Sequence, residues 1–187
     1  MKKIDLNKLR DKAYKTACEH GLHDQELSNE HCLCLVISEL MKAVEADRKR
    51  KYFKGKIMFE RDFNLYSALV EENVRYRNAF EKHIKDTVGD KLADTVIRLL
   101  DLAGLRNLNL NRFALVNVVS KKKTFTENIH SIVKDITNYK YTLEDLVNYA
   151  ITQVFVLSDI LDIDLLWHIE HKMKYNELRE DMYGKKY

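Results

Sequence analysis

Proline is absent from this 187-residue chain and glycine occurs only five times. Proline removes a backbone donor and clashes with the preceding turn, and glycine carries a large backbone entropy, so both interrupt helices. Their scarcity favours long helices. Cysteine is scarce as well. Cys18, Cys32 and Cys34 are odd in number, and two of them lie one residue apart in an apolar run, which matches neither a disulfide framework nor a zinc site. They read as small core residues in a reducing compartment. No apolar run approaches the roughly 20 residues that cross a bilayer. The opening Met1–Asp5 lacks the apolar core of a signal peptide. The expectation is a cytoplasmic protein with no membrane partner.

A dominant charge is also lacking. Lysine and arginine number 32 against 29 acidic residues, a formal net charge of +3. That balance excludes a nucleic-acid footprint on charge alone, and no nucleic-acid partner is expected. The runs Lys121–Lys123 and Arg48–Lys51 read as solvated helix ends or loops. No Walker A glycine loop is present, which excludes P-loop hydrolysis, and no nucleophilic triad suggests itself. His168 and His171 read as satisfied surface or core histidines.

What the chain does contain is helical periodicity, with 45% hydrophobic and 33% charged residues, a globular balance. The spacing predicts a helix over 5–20, with Leu6, Leu9, Ala13 and Ala17 on one side and a stop at Gly21. Ser28 or Asn29 caps a second helix to about Tyr52. A third spans 60–83, and a fourth spans 84–104. Thr126 precedes a fifth to about Asn138. Thr142, with Asp145 three residues on, opens a sixth to about Leu161, and Asp164 caps the last to about Asp181. "ALVNVVS" is the one place where a short strand competes. The expectation is an all-α helical bundle of about seven helices, a single domain over 1–187.

Two helices carry acids in informative places. In "CLCLVISELMKAVEADRK", Ile37, Leu40, Met41 and Val44 make one apolar face. Cys32, Leu35, Val36, Ala43 and Ala46 make another, with Glu39 in its middle. A carboxylate in such a stripe is paired, protonated or bound to a metal, because burying it alone costs several kcal/mol. In "KDTVGDKLADTVIRLLDLAG", Asp86, Asp90 and Asp94 recur every four residues beside Thr87, Lys91, Arg98 and Asp101. Leu92, Val96, Leu99 and Ala103 lie opposite. Taken alone this is a solvated stripe of ion pairs. It becomes a metal site if it faces Glu39 across the bundle.

These segments resemble the MazG-like nucleoside triphosphate pyrophosphohydrolases. That all-α family carries E-x-x-E on one helix, E-x-x-D on a later one, and a C-terminal pattern like K-x-x-x-N-x-x-R. "ISELMKAVEADRK" is similar to the first, "GDKLADTVIRLLDLAG" to the second and "HKMKYNELREDMYGKKY" to the third. The resemblance implies Mg²⁺-dependent hydrolysis of a nucleoside triphosphate to the monophosphate and pyrophosphate, with Mn²⁺ as a substitute metal. It implies Glu39 and Asp94 as catalytic acids and, with Asp90, as metal ligands. Lys172, Asn176 and Arg179 become nucleotide contacts. It also implies a homo-oligomer, with 105–160 as a family-variable helical insertion in the same core. Two positions depart from the pattern: Lys42 replaces the second glutamate of E-x-x-E, and Lys91 replaces the glutamate of E-x-x-D. The alternative expectation is therefore an impaired homologue that binds nucleotide or acts as a helical interaction scaffold.

Overall fold

The computed structural model describes residues 5–65, 67–110, 120–138 and 140–179. Among them are eight helices and no strand: α1 (Leu6–Glu19), α2 (Asn29–Arg48), α3 (Lys56–Asn64), α4 (Glu72–His83), α5 (Val88–Leu105), α6 (Phe125–Ile136), α7 (Leu143–Ile160) and α8 (Leu165–Glu177). The all-α expectation holds, with eight helices in place of about seven. "ALVNVVS" falls, apart from Ser120, outside the described residues.

The extra helix comes from a break in the expected 60–83 helix. Phe59 and Tyr76 are seventeen residues apart, which a straight helix would stretch over about 25 Å. Their rings nevertheless pack edge to face at 5.9 Å. The chain therefore folds back between α3 and α4, and Arg75 secures the bend by donating to the carbonyls of Phe63 and Val70. The hairpin gathers Phe59, Tyr76, Phe80 and Ile84 into a small second core against Tyr175 of α8.

Local caps fix most boundaries. Ser28, Thr87, Thr142 and Asp164 each accept a backbone N–H from the first turn of α2, α5, α7 and α8, satisfying donors that would otherwise be orphaned. At α6 the cap is Thr124, not Thr126. Thr124 and Glu127 form a reciprocal capping box, so the helix starts two residues earlier than the sequence suggests.

The main core surrounds α5, which packs against α1, α2, α7 and α8. Val36, Leu40 and Ala43 of α2 meet Leu92, Val96, Leu99 and Ala103 of α5. Ile129 and Ile132 of α6, with Val147, Ile151 and Val154 of α7, complete the same core. α6 and α7 thus contribute apolar residues to the core around α5. Gly104 allows α1 close approach, because a Cβ there would collide with Tyr14. At the other end of α5, a Cβ on Gly89 would sit 2.6 Å from His168 Nε2. No single described helix is long and apolar enough to cross a membrane.

Candidate functional site

A cleft of about 400 Å³ opens between α1, α2, α5 and α8. Glu39, Asp94, Lys172, Asn176 and Arg179 all line it, as do Lys42 and Lys91. Asp90 lies beneath them, fully buried. Residues from three separated stretches of sequence therefore meet in one place. Arg179 reaches the cleft from just beyond the last turn of α8, which ends earlier than the sequence spacing suggested.

α2 turns Glu39 inward because its neighbours on that face, Val36, Ala43 and Ala46, are buried. Small side chains there let α5 approach, and the Glu39 side chain is only 7% exposed. Lys42, one turn on, places its ammonium 2.9 Å from Glu39 Oε1 while remaining 55% exposed. Lys42 thus neutralises Glu39.

Thr87 caps the start of α5, after Asp86 turns the chain with a positive φ. The Asp86 backbone N–H donates to Asp90 Oδ2 at 2.9 Å. Lys91 Nζ lies 2.8 Å from Asp86 Oδ1, 3.1 Å from Asp90 Oδ2 and 3.8 Å from Asp94 Oδ2. From α8, Lys172 Nζ bridges Asp90 Oδ1 and Asp94 Oδ2 at 2.9 Å each. It also lies over the rings of Phe80 and Tyr175 at 5.6 and 5.7 Å, a favourable place for a cation. The α5 stripe is therefore neither a solvated surface nor a converging set of free acids. It is a buried network of ion pairs.

The electrostatics follow from burial opposed by charge. Burial pulls the Lys172 ammonium down, but Asp94 and Asp90 outweigh it and hold the group above the usual lysine range. Lys91 is likewise lowered by burial and raised further by Asp90, Asp86 and Asp94, ending well above its ordinary value. Asp94 moves the other way. Burial pushes its carboxyl up to about 6 against the pull of Lys172, with the charges of Asp90 and Glu39 adding to the rise.

Mg²⁺ takes near-octahedral oxygen ligands and keeps several waters. Glu39, Asp90 and Asp94 do not fit that need as arranged, since each already has a lysine as cation. Among the described residues, no three of histidine, cysteine, aspartate and glutamate converge as a metal site. A divalent ion would have to displace Lys172 and Lys91 from carboxylates they contact at hydrogen-bonding distance.

Six lysines and arginines line the cleft with three carboxylates, and Asp86, Asp90 and Glu81 behind it pair with Lys91, Lys172 and Lys85. Lys85 and Arg98 are among the cations, and Thr16 of α1 and its C-cap His20 also line the cleft. Sequence reasoning missed the α1 residues and Lys85. Nothing in the amphipathic pattern of α1 shows which element its polar edge faces. His171 gives its ring to Trp167 at 3.8 Å, while burial holds His168 down at about 4. Neither is part of a metal cluster among the described residues.

No protein-family description, curated protein or solved structure matches this chain.

Proposed function

We propose that this chain is a divergent MazG-like protein that binds a nucleoside triphosphate in the α1/α2/α5/α8 cleft. Lysine and arginine, in place of Mg²⁺, counter the phosphate charge. The observation that carries this reading is the Lys172 ammonium seated between Asp90 and Asp94, under a cleft lined by six lysines and arginines. An ammonium fixed in that position supplies a positive charge where the family pattern implies a metal. Lys42 is an exposed member of the set. Its exposed ammonium can leave Glu39 for an incoming phosphate oxygen, and a charge-assisted hydrogen bond replaces the one it loses. Arg98 and Arg179 present guanidinium groups suited to phosphate oxygens.

Hydrolysis to the monophosphate and pyrophosphate is the second reading, favoured by Glu39 and Asp94 bordering the same cleft. In this chain it is weak, because both acids are already neutralised. Calorimetric titration of the full chain with ATP, once in EDTA and once with Mg²⁺, tests the first reading. The expected result is binding in both, with affinities within about threefold and little pyrophosphate released. Binding only with Mg²⁺, with release abolished by Glu39→Ala, would establish the metal-dependent hydrolase instead. Under the first reading, the double change Lys42→Glu with Lys91→Glu raises metal-dependent pyrophosphate release.

A further inference from the structure

The cations of the cleft are not alike. Every lysine that lines it already has an acid: Lys42 pairs with Glu39 at 2.9 Å, Lys85 with Glu81 at 3.4 Å, and Lys91 and Lys172 with the α5 aspartates. Arg98 is different. It is half-buried and lines the cleft, yet its guanidinium forms no ion pair or hydrogen bond among the described residues, and its nitrogens remain open to solvent. The acids beside it on the α5 face are committed elsewhere. Asp94, one turn earlier, accepts Lys172 at 2.9 Å, and Asp101, one turn later, meets His23 at 2.7 Å.

α1 supplies further donors. Tyr14 packs on Gly104 and His23 meets Asp101, so the end of α1 runs beside the last turns of α5. Thr16 and His20, four residues apart, share the side of α1 that lines the cleft. Both are half-buried, and neither the Thr16 hydroxyl nor the His20 ring has a hydrogen-bond partner among the described residues. A guanidinium offers a fork of parallel N–H donors, and the hydroxyl and the imidazole N–H add one each. That set matches an oxyanion with three free oxygens. The ionised phosphate at the end of a chain has three, with up to two negative charges; a phosphate inside the chain has two and one charge.

We propose that Arg98, with Thr16 and His20, is the phosphate subsite of the cleft and takes the terminal phosphate of the bound nucleotide. This inference rests on the nucleotide reading above and adds a substrate class: nucleotides whose phosphate chain ends free and doubly ionised, in preference to those whose end is esterified. A phosphate oxygen that meets Lys42 must replace Glu39, whereas one that meets Arg98 replaces only water. The larger net gain is therefore at the guanidinium. One turn of α5, about 6 Å, separates Arg98 from Asp94, and a triphosphate is long enough to run from one to the other.

Calorimetric titration of the full chain at pH 8 in EDTA compares ATP with its γ-phosphate methyl ester, which keeps the chain but blocks one terminal oxygen and removes one charge. The expected result is that ATP binds about tenfold tighter or more. Arg98→Met breaks no ion pair or hydrogen bond among the described residues. It is expected to unfold at the wild-type temperature and to bring ATP down to the level of the ester. Thr16→Val should narrow the preference by a smaller factor. Lys42→Met, which alters a lysine already paired, should weaken both ligands alike and leave the preference in place. Equal affinities for ATP and the ester would overturn the assignment, as would a preference that survives Arg98→Met or is lost in Lys42→Met. Inorganic tripolyphosphate separates this inference from the nucleotide reading. Tripolyphosphate binding that Arg98→Met abolishes, with no binding of ATP, keeps the subsite and removes the nucleotide; failure of both to bind removes the two readings together.

Discussion

The two sides of α8 are fastened by different physics. One side stacks on the aromatic core: Tyr175 lies parallel to Phe80 at 4.2 Å, and Trp167 and His171 close over Phe59. The other side holds Lys172 between two carboxylates of α5. The aromatic side is held by apolar area and ring geometry, and any residues of similar volume would secure it nearly as well. The charged side is not interchangeable in that way. Taking an ammonium and two carboxylates out of water costs much of what their attraction returns, so a buried ion network contributes little net stability yet is severely damaged by losing one member. A fold needing only a fastened helix would be served by the first kind of contact. The charged side is where to look for function.

Removing one charge from the network gives the largest expected effect. Lys172→Ala leaves Asp90 and Asp94 with Lys91 as their one remaining shared cation and costs about 3–5 kcal/mol in chemical denaturation. Neutralising all three, as Asp90→Asn, Asp94→Asn and Lys172→Met together, is expected to recover most of that loss. A triple variant as unstable as the single one would show that the network holds α8 by more than charge balance. On the aromatic side, Phe80→Ala is expected to cost about 3 kcal/mol, and Phe80→Leu roughly a third of that. Here the loss should follow side-chain volume, apart from the contact of the Phe80 ring with the Lys172 ammonium, and depend less on salt and pH than the loss on the charged side.

The smallest effect separates the two sides by titration. Asp94 has a folded pKa near 6, raised above its ordinary carboxylate value chiefly by burial. The folded form therefore holds that proton more tightly than the unfolded chain. Its contribution is present below about pH 4 and lost as pH rises through 6. His168 is lowered to about 4, again mainly by burial. Its contribution is present above the ordinary histidine value and lost as pH falls through 4. Between pH 7 and pH 5 the two oppose each other. Asp94→Asn removes only the first, so on acidification from pH 7 to 5 the variant should lose roughly 1 kcal/mol more stability than the wild type. Equal losses would mean that Asp94 is ionised throughout that range.

The helices were legible because their signals are local. Absent proline, the apolar spacing and side chains such as Ser28, Thr142 and Asp164 each act within a few residues. The α3–α4 bend was not legible, since its cause is the meeting of Phe59 with Tyr76, and no local signal between them announces it. The candidate site divides the same way. Glu39 could be placed inside from the small residues flanking it on α2, and its burial at 5% exposed agrees. The spacing of Lys172, Asn176 and Arg179 placed them together, and all three line the cleft. The partner of the α5 acids could not be read. It arrives from a helix more than seventy residues later, and no pattern along α5 shows that Lys172 enters between Asp90 and Asp94.

The central claim is that ammonium groups occupy the place a divalent ion would take. Titrating the nucleotide-free full chain with Mn²⁺, followed by electron paramagnetic resonance, tests it most directly. Lysines seated on Asp90, Asp94 and Glu39 predict no stoichiometric site, only weak binding that Asp94→Asn leaves unchanged. One Mn²⁺ bound per chain with micromolar affinity, lost in Asp94→Asn or Glu39→Gln, would contradict the account.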